Sequence, residues 1–347
     1  MRAFLAARYR PDLALCDRTF FSWYFREDGG AANIASIWDD ERLVGTIGYV
    51  PNPVFWGRLD EPIEAAWIVN WVADPDYRHG IGVALLTAMQ RRFPVVFGIG
   101  ATNENQRIVE RLGWTFFEHV PRYIAIFDPA AVARLALPEA SRDGLEAARF
   151  VQWAGDGDDT RPWSPSMPAP QWERYRALAF GTIRSEAFLR WRYLEHPFFQ
   201  YAVLTAGDAA APALAVYRIE HVREVAPVAR VVEFFHPDDD AGTVSGIRLA
   251  RALATRFKEL GCAFADCVIS SATYGSTFAA AGWALEDRFH PLLPSRLQPV
   301  ERVSFAFNLE YVAPHDFSKP TLEAMYVTRG NGDADRPTTI LKNVPAS

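Results

Sequence analysis

The sequence predicts an α/β fold built twice in tandem, each copy a mixed, mostly antiparallel sheet flanked by helices. Three observations predict it. Residues 67–114 run strand, glycine-bearing turn, amphipathic helix, and then strand, polar turn and helix again. A weaker copy of that pattern recurs about half the chain later. With 347 residues, 50% of them hydrophobic and 22% charged, the chain is long enough for two cores of ordinary size and carries no bias toward disorder.

In chain order, residues 10–27 hold Phe20, Phe21, Trp23, Tyr24 and Phe25 and read as a helix with aromatic core positions. Residues 34–38 and 43–50, joined by a polar turn at 39–42, read as a β-hairpin. The apolar run 67–72 is a strand, and Val83, Leu85, Leu86, Met89 and Phe93 follow at helical spacing. Gly80 and Gly82 flank Ile81 between them, so the backbone can approach a ligand there. The free amides at the start of the next helix then form a natural seat for phosphate. Strand 95–99, the polar turn 102–105 and a helix ending at Gly113 complete the unit. Strands at 122–127 and 147–153 are expected to finish the first sheet.

The second copy shows on sliding the chain against itself. Trp191 answers Trp23 at an offset of 168 (191 less 23), and Gly282 answers Gly113 at 169 (282 less 113). Strands are expected at 201–204, 214–219, 229–235 and 263–269, with helices near 247–260 and 274–281. Where the first copy has its glycine turn, the second has Asp238, Asp239 and Asp240, which would repel a pyrophosphate. The domains are therefore drawn as 1–154 and 171–347, joined by a linker at 155–170 rich in Asp, Gly, Ser and Pro. Strands at 302–308 and 325–328 are expected to complete the second sheet, and 331–337 reads as an acidic turn before a loose tail.

The turn Pro75, Asp76, Tyr77, Arg78, His79, Gly80, Ile81, Gly82 resembles the pyrophosphate loop of the GNAT superfamily of N-acyltransferases. Residues 102–114, ending in Leu112, Gly113 and Trp114, resemble its second motif. The resemblance implies acyl-CoA as co-substrate, held by Trp71, Val72, Ala73, Tyr77, Arg78, His79, Gly80, Ile81, Gly82, Val83, Asn103 and Asn105. It implies attack of a neutral amine on the thioester, with a backbone N–H of residues 71–73 receiving the developing oxyanion. Two departures concern the reaction. Val109 stands where many members carry a tyrosine acid, and Asn70 stands where many carry a carboxylate base. The loop itself has one residue, His79, between Arg78 and Gly80, where the family usually has two. A duplicated chain with Phe188, Leu189, Arg190, Trp191, Arg192 and Tyr193 in its second half resembles the enzymes that acylate nucleotide-linked amino sugars for surface polysaccharides. The alternatives are acylation of another small amine or an antibiotic, or a CoA-binding scaffold without turnover.

Three residues are candidates for proton transfer. Glu233 lies in an apolar strand, where a carboxylate must face a cleft or be paired. His196 precedes Pro197 at a helix end, a place that suits a cap as well as a base. Tyr274 opens the helix matching the second motif and could donate a proton. Trp191 and Arg192 suit a nucleotide diphosphate. Cys16, Cys262 and Cys267 form no disulfide framework or zinc spacing, so direct transfer in a ternary complex without a metal is expected. A net charge of −6 without a basic run argues against a nucleic-acid partner. Neither a leader sequence nor a run of about 20 apolar residues is present, which leads to the expectation of a cytoplasmic protein without membrane insertion. Oligomeric state stays open, a homodimer included.

Overall fold

The computed structural model describes residues 1–26, 32–56, 61–77, 80–100, 102–136, 160–162, 180–222, 224–286, 293–297, 300–301, 306–311 and 320–339. Helix α1 (Arg2–Arg8) leads to α2 (Arg18–Tyr24), which buries Phe20, Phe21 and Tyr24. The Asp17 carboxylate accepts the Phe20 amide at 2.9 Å and fixes where α2 begins. The helix expected over 10–27 is thus shorter, because this cap starts a new helix after the turn at Ala14–Cys16.

Two large sheets follow, with strands numbered in chain order. The first runs β1 (Ile34–Asp39), β2 (Arg42–Pro51), β4 (Ala65–Ala73), β5 (Val95–Ile99), β17 (Phe307–Tyr311) and β6 (Thr115–Phe117). The second runs β14 (Ala284–Leu285), β7 (Arg122–Ile126), β13 (Phe264–Val268), β12 (Ala226–Phe235), β11 (Ala213–Val222), β10 (Ala202–Ala206) and β8 (Thr160–Pro162). In each sheet one pair is parallel, β4 with β5 and β12 with β13, and the neighbouring pairs are antiparallel. Helices α3 (Ile81–Arg92) and α4 (Asn103–Arg111) follow β4 and β5, and α7 (Asp240–Glu259) and α8 (Ala272–Ala280) follow β12 and β13. Between the halves of the chain lie α5 (Pro129–Leu135) and α6 (Glu186–Leu189).

The sheets trade a strand. β7, expected in the first sheet, pairs antiparallel with β13 in the second, Ala125 opposite Ala265. β17 overlaps the strand expected in the second sheet and pairs with β5 in the first, Leu309 opposite Phe97. Alternation marks both segments as strands but carries no record of which open edge they cover. Residues 302–305 and 147–153 lie outside the described residues. β18 (Met325–Tyr326) also joins neither large sheet. It pairs with β9 (Phe180–Thr182), which pairs in turn with β3 (Val54–Trp56) from the first half. Most of the expected linker is outside the described residues, but Thr160–Pro162 is an edge strand on β10. A short hairpin, β15 (Arg296–Leu297) with β16 (Val300–Glu301), completes the strands described.

The repeat also meets itself. Trp23 Nε1 donates to the Trp191 carbonyl at 3.1 Å, and Trp191 Nε1 donates to the Trp23 carbonyl at 3.0 Å. Their rings lie 5.4 Å apart and nearly parallel. Trp191, expected at a nucleotide site, is therefore part of a reciprocal contact between the two copies. We predict that Trp23→Ala and Trp191→Ala each cost about 3–5 kcal/mol in denaturant unfolding. The double variant should cost less than the sum, because either change alone removes the shared contact. Full additivity would contradict this account.

Candidate active site

β4 and β5 pair only from Ala65 with Val95 to Ile68 with Gly98. Beyond that point β4 carries a bulge: Val69 lies opposite Gly48 and Val72 opposite Thr46, with one more residue on β4 than on β2. Asn70, inside the bulge, has φ 50°, a left-handed conformation that asparagine tolerates better than most side chains. The bulge takes the residue 70–71 amides out of the regular ladder, at the place where the strands part.

Helix α3 begins beside this opening. Its N-cap is Gly80, with φ 80° and no side-chain cap. A Cβ at Gly80 would meet no atom within 4 Å, so the helix start faces open space. Helices α4, α7 and α8 instead have their first amides capped by Thr102, Asp239 and Ser271. An uncapped start with its dipole toward a cleft fits a pyrophosphate. Trp71 closes one side, its Nε1 donating to the Gly82 carbonyl at 3.1 Å, and a Cβ on Gly82 would stand 3.2 Å from the indole. In the second half the matching helix start is filled: Asp239 accepts the Gly242 amide at 2.6 Å, and a Cβ on Gly242 would strike the Pro237 carbonyl at 2.3 Å.

A cavity of about 840 Å³ occupies the wedge between the parted strands and the second sheet. The first half lines it with Asn70, Trp71, Gly98, Asn105, Val109 and Trp114. The second half lines it with Phe199, Arg218, Glu220, Arg230, Arg329 and the segment around Asp333 to Arg336. That segment is the one read from sequence as an acidic turn and loose tail. Arg336 donates to Asn70 Oδ1 and to Asp333, each at 3.2 Å, and so bridges the bulge to the far wall. Asp335 accepts from Arg218 at 2.9 Å and from the Tyr201 hydroxyl at 2.8 Å. Burial alone would raise the Asp335 carboxyl, but the Arg218 guanidinium outweighs it and holds the group well below the usual carboxylate range.

The residues singled out for proton transfer do not meet in this cavity. Glu233 is fully buried and accepts from four groups: Arg184 Nε and the Tyr193 hydroxyl at 2.6 Å each, the Tyr326 hydroxyl at 2.7 Å and the Thr328 hydroxyl at 2.9 Å. Burial pushes the Tyr193 and Tyr326 phenols well up, which keeps them as donors. With its lone pairs engaged, Glu233 is a structural acceptor in place of the expected base. His196 accepts the amides of Phe198 and Phe199 on Nδ1 at 3.1 and 2.8 Å and stacks on Phe199. It is a cap, and burial lowers its pKa to about 3. Tyr274 is buried against His236 and Tyr326, with its hydroxyl on the His236 carbonyl at 3.3 Å. Arg192 is buried as well, donating to the Gly332 carbonyl at 3.0 Å, so neither it nor Trp191 offers a nucleotide surface. Each of these side chains is buried and makes hydrogen bonds within the protein, although His196 Nε2 and Arg192 Nη1 find no partner, and sequence spacing carries none of this.

The residues expected to hold acyl-CoA lie along β4, the turn after it and the starts of α3 and α4. Trp71 and Asn105 line the cavity, Val72 and Ala73 continue β4, and Ile81, Gly82 and Val83 form the first turn of α3. Tyr77 lies in the short turn Pro75–Tyr77 under the Arg42 guanidinium, 4.9 Å from its ring. Arg78 and His79 lie outside the described residues, as does the Asn103 side chain. Val109 lines the cavity at the position where the resemblance led us to look for a tyrosine acid.

Residues 1–106 match the acetyltransferase (GNAT) family. The matched segment contains the bulge, the uncapped helix and the start of α4, and of these the bulge and α4 line the cavity. Among solved structures, a GCN5-related N-acetyltransferase from Anabaena variabilis is similar in fold: 12% identity, TM-score 0.51, covering 87% of this chain and 68% of its own. Saccharomyces cerevisiae N-myristoyltransferase with bound myristoyl-CoA is similar at 8% identity and TM-score 0.49, over 84% of this chain and 72% of its own. No curated protein matches by sequence. Among the described residues no helix is long and apolar enough to cross a membrane, and no group of His, Cys, Asp and Glu is placed to hold a metal ion.

Two predictions follow from the buried groups. Glu233→Gln leaves Arg184 buried without its carboxylate and should cost about 3–5 kcal/mol of stability. Turnover per folded molecule should stay unchanged, and a selective loss of kcat would reinstate Glu233 as a base. For His196 the folded pKa is depressed, so below about 6.5 the unfolded chain binds the extra proton. Its contribution is complete above that pH and is lost as pH falls toward about 3. His196→Asn, which can still accept the two amides, should lower the acid-side slope of stability by up to about 1.4 kcal/mol per pH unit. An unchanged slope between pH 4 and 6 would refute the assignment.

Proposed function

We propose that the protein transfers an acyl group from acyl-CoA to the amine of a nucleotide-linked amino sugar. The observation that carries this reading is a cavity in which the parted strands meet a wall of arginines and the Phe199 ring from the second half. In this reading the CoA pyrophosphate sits at the start of α3 and the thioester lies where β4 and β5 separate. The space of about 840 Å³, with Phe199 and the arginines at 218, 230 and 329, suits a large, charged acceptor.

The amine lone pair attacks the thioester carbonyl carbon, and the oxygen takes up charge beside the amides of the bulge. Collapse breaks the C–S bond and yields the amide and the CoA thiolate. The proton leaves the new ammonium for a base, and the thiolate takes up a proton. Asp333 is assigned the base role. It lines the cavity and pairs with Arg336 at 3.2 Å, a longer contact than those that Arg218 makes to Glu220 and Asp335 at 2.6 and 2.9 Å. A thiol nucleophile is not invoked, since Cys267 is buried with its pKa well raised and burial pushes Cys262 up to about 12.

Calorimetry with acetyl-CoA on the wild type and on Gly80→Val with Gly82→Phe tests the cofactor site. The first change forces a branched side chain to φ 80° and the second drives a ring into Trp71, so affinity should fall by more than about tenfold. Thiol release should then follow with nucleotide amino sugars and not with polyamines or aminoglycosides. Release with those amines alone would replace the acceptor, and tight CoA binding without release for any amine would favour a non-catalytic scaffold. Asp333→Asn should lower kcat about 10²- to 10⁴-fold with acetyl-CoA affinity unchanged.

A further inference from the structure

One side chain at the parting of the strands has one end held and the other free. Asn70 Oδ1 accepts from Arg336 at 3.2 Å, and Arg336 also donates to Asp333 at 3.2 Å. A guanidinium carries donors and no acceptor, so the amide oxygen must face Arg336 and the amide nitrogen must point away from it. Asn70 Nδ2 is buried and has no hydrogen-bond partner. Its neighbour differs in this respect, since the Trp71 N–H is taken by the Gly82 carbonyl at 3.1 Å.

The backbone singles out the same residue. Asn70 is left-handed at φ 50° inside the bulge, just past Ile68, the last residue of β4 that pairs with β5. A strained conformation and a buried donor without an acceptor each cost stability, and here both fall on one residue that also lines the cavity. The acceptor that would complete Nδ2 is a ligand group lying where the strands part.

We infer that Asn70 Nδ2 donates a hydrogen bond to the carbonyl oxygen of the acyl-CoA thioester, beside the bulge amides, and that Arg336 positions it. This rests on the acyltransferase reading, which puts the thioester at that place. As the amine adds to the carbonyl carbon, the π pair moves onto the oxygen and the hydrogen bond strengthens. When the C–S bond breaks, the pair returns to form the carbonyl of the amide product and the hydrogen bond weakens again. A donor already fixed in place needs no reorganisation as that charge develops. Asn70 is then a catalytic residue and Arg336 a positioning residue, through which the second half of the chain sets the direction of a donor in the first.

The test uses the full chain and acetyl-CoA labelled with ¹³C at the thioester carbonyl, followed by infrared difference spectroscopy without an amine. The carbonyl band of acetyl-CoA bound to wild type should lie below its position in free acetyl-CoA. Two variants suit the bulge: Asn70→Gly accepts a positive φ and removes the side chain, and Asn70→Asp tolerates that φ, keeps an oxygen for Arg336 and has no N–H. In both, the band should move back toward the free position while acetyl-CoA affinity by calorimetry is unchanged. With an amine that releases thiol, kcat should fall about 10²- to 10³-fold. Arg336→Met, which leaves the bulge sequence intact, should broaden the band because the amide is no longer pinned. A wild-type band at or above the free position, or the same band in wild type and in an Asn70 variant that binds acetyl-CoA, overturns this assignment alone. Loss of acetyl-CoA affinity in a folded Asn70 variant would move the contact to another part of the cofactor and overturn it as well. If wild type binds no acetyl-CoA, the acyltransferase reading falls and this assignment falls with it.

Discussion

Each large sheet leaves one edge of a parallel pair open and closes it with a strand from the other half of the chain. β17 covers β5, and β7 covers β13. An exposed strand edge is a row of unpaired amides and carbonyls, so this exchange satisfies both sheets at once. Its consequence is that neither half completes its own sheet. The reciprocal tryptophan pair and the small β3, β9, β18 sheet add contacts across the same boundary. The cavity between the halves is therefore walled by elements that are tied to one another.

That tie gives the second half its use. In the first half the helix after the parallel pair starts on a bare glycine beside an opening. In the second half the same helix start is closed by Asp239 and Pro237. What the second half presents to the cavity is instead the face of β11 and β12, with Arg218, Glu220 and Arg230, and the segment that follows β18. Duplication has kept the scaffold and changed what each copy offers.

Glu233 acts at the root of that segment. Its carboxylate holds Tyr326 and Thr328, while the Gly330 amide bonds to the Val232 carbonyl at 3.1 Å. A Cβ on Gly330 would come within 1.9 Å of the same carboxylate, so the chain passes against it as closely as backbone allows. Arg329 on one side and Asp333, Asp335 and Arg336 beyond it are thus presented from a fixed base. A carboxylate in an apolar strand was a sound reason to look at Glu233. Its four donors, Arg184, Tyr193, Tyr326 and Thr328, come from three stretches of chain remote from it in sequence, and only folding brings them to one point.

From the sequence alone came the class of fold, the hairpin β1–β2, the order of strand and helix in both copies and the loss of the phosphate loop in the second. These rest on local rules: period 2 or 3.6 in the apolar residues, glycine where the backbone must turn, carboxylates where a phosphate would be repelled. That Trp71, Gly80 and Gly82 lie close together was legible for the same reason, since a strand, a turn and a helix start are next to one another in the chain. Tertiary structure decided which sheet each of β7 and β17 joins, because an edge strand looks the same whichever edge it covers. It decided that Glu233, His196, Tyr274, Trp191 and Arg192 are buried supports. It also turned residues 333–338 from an apparent tail into a wall of the cavity, since distance along the chain says nothing of which opening a segment will close.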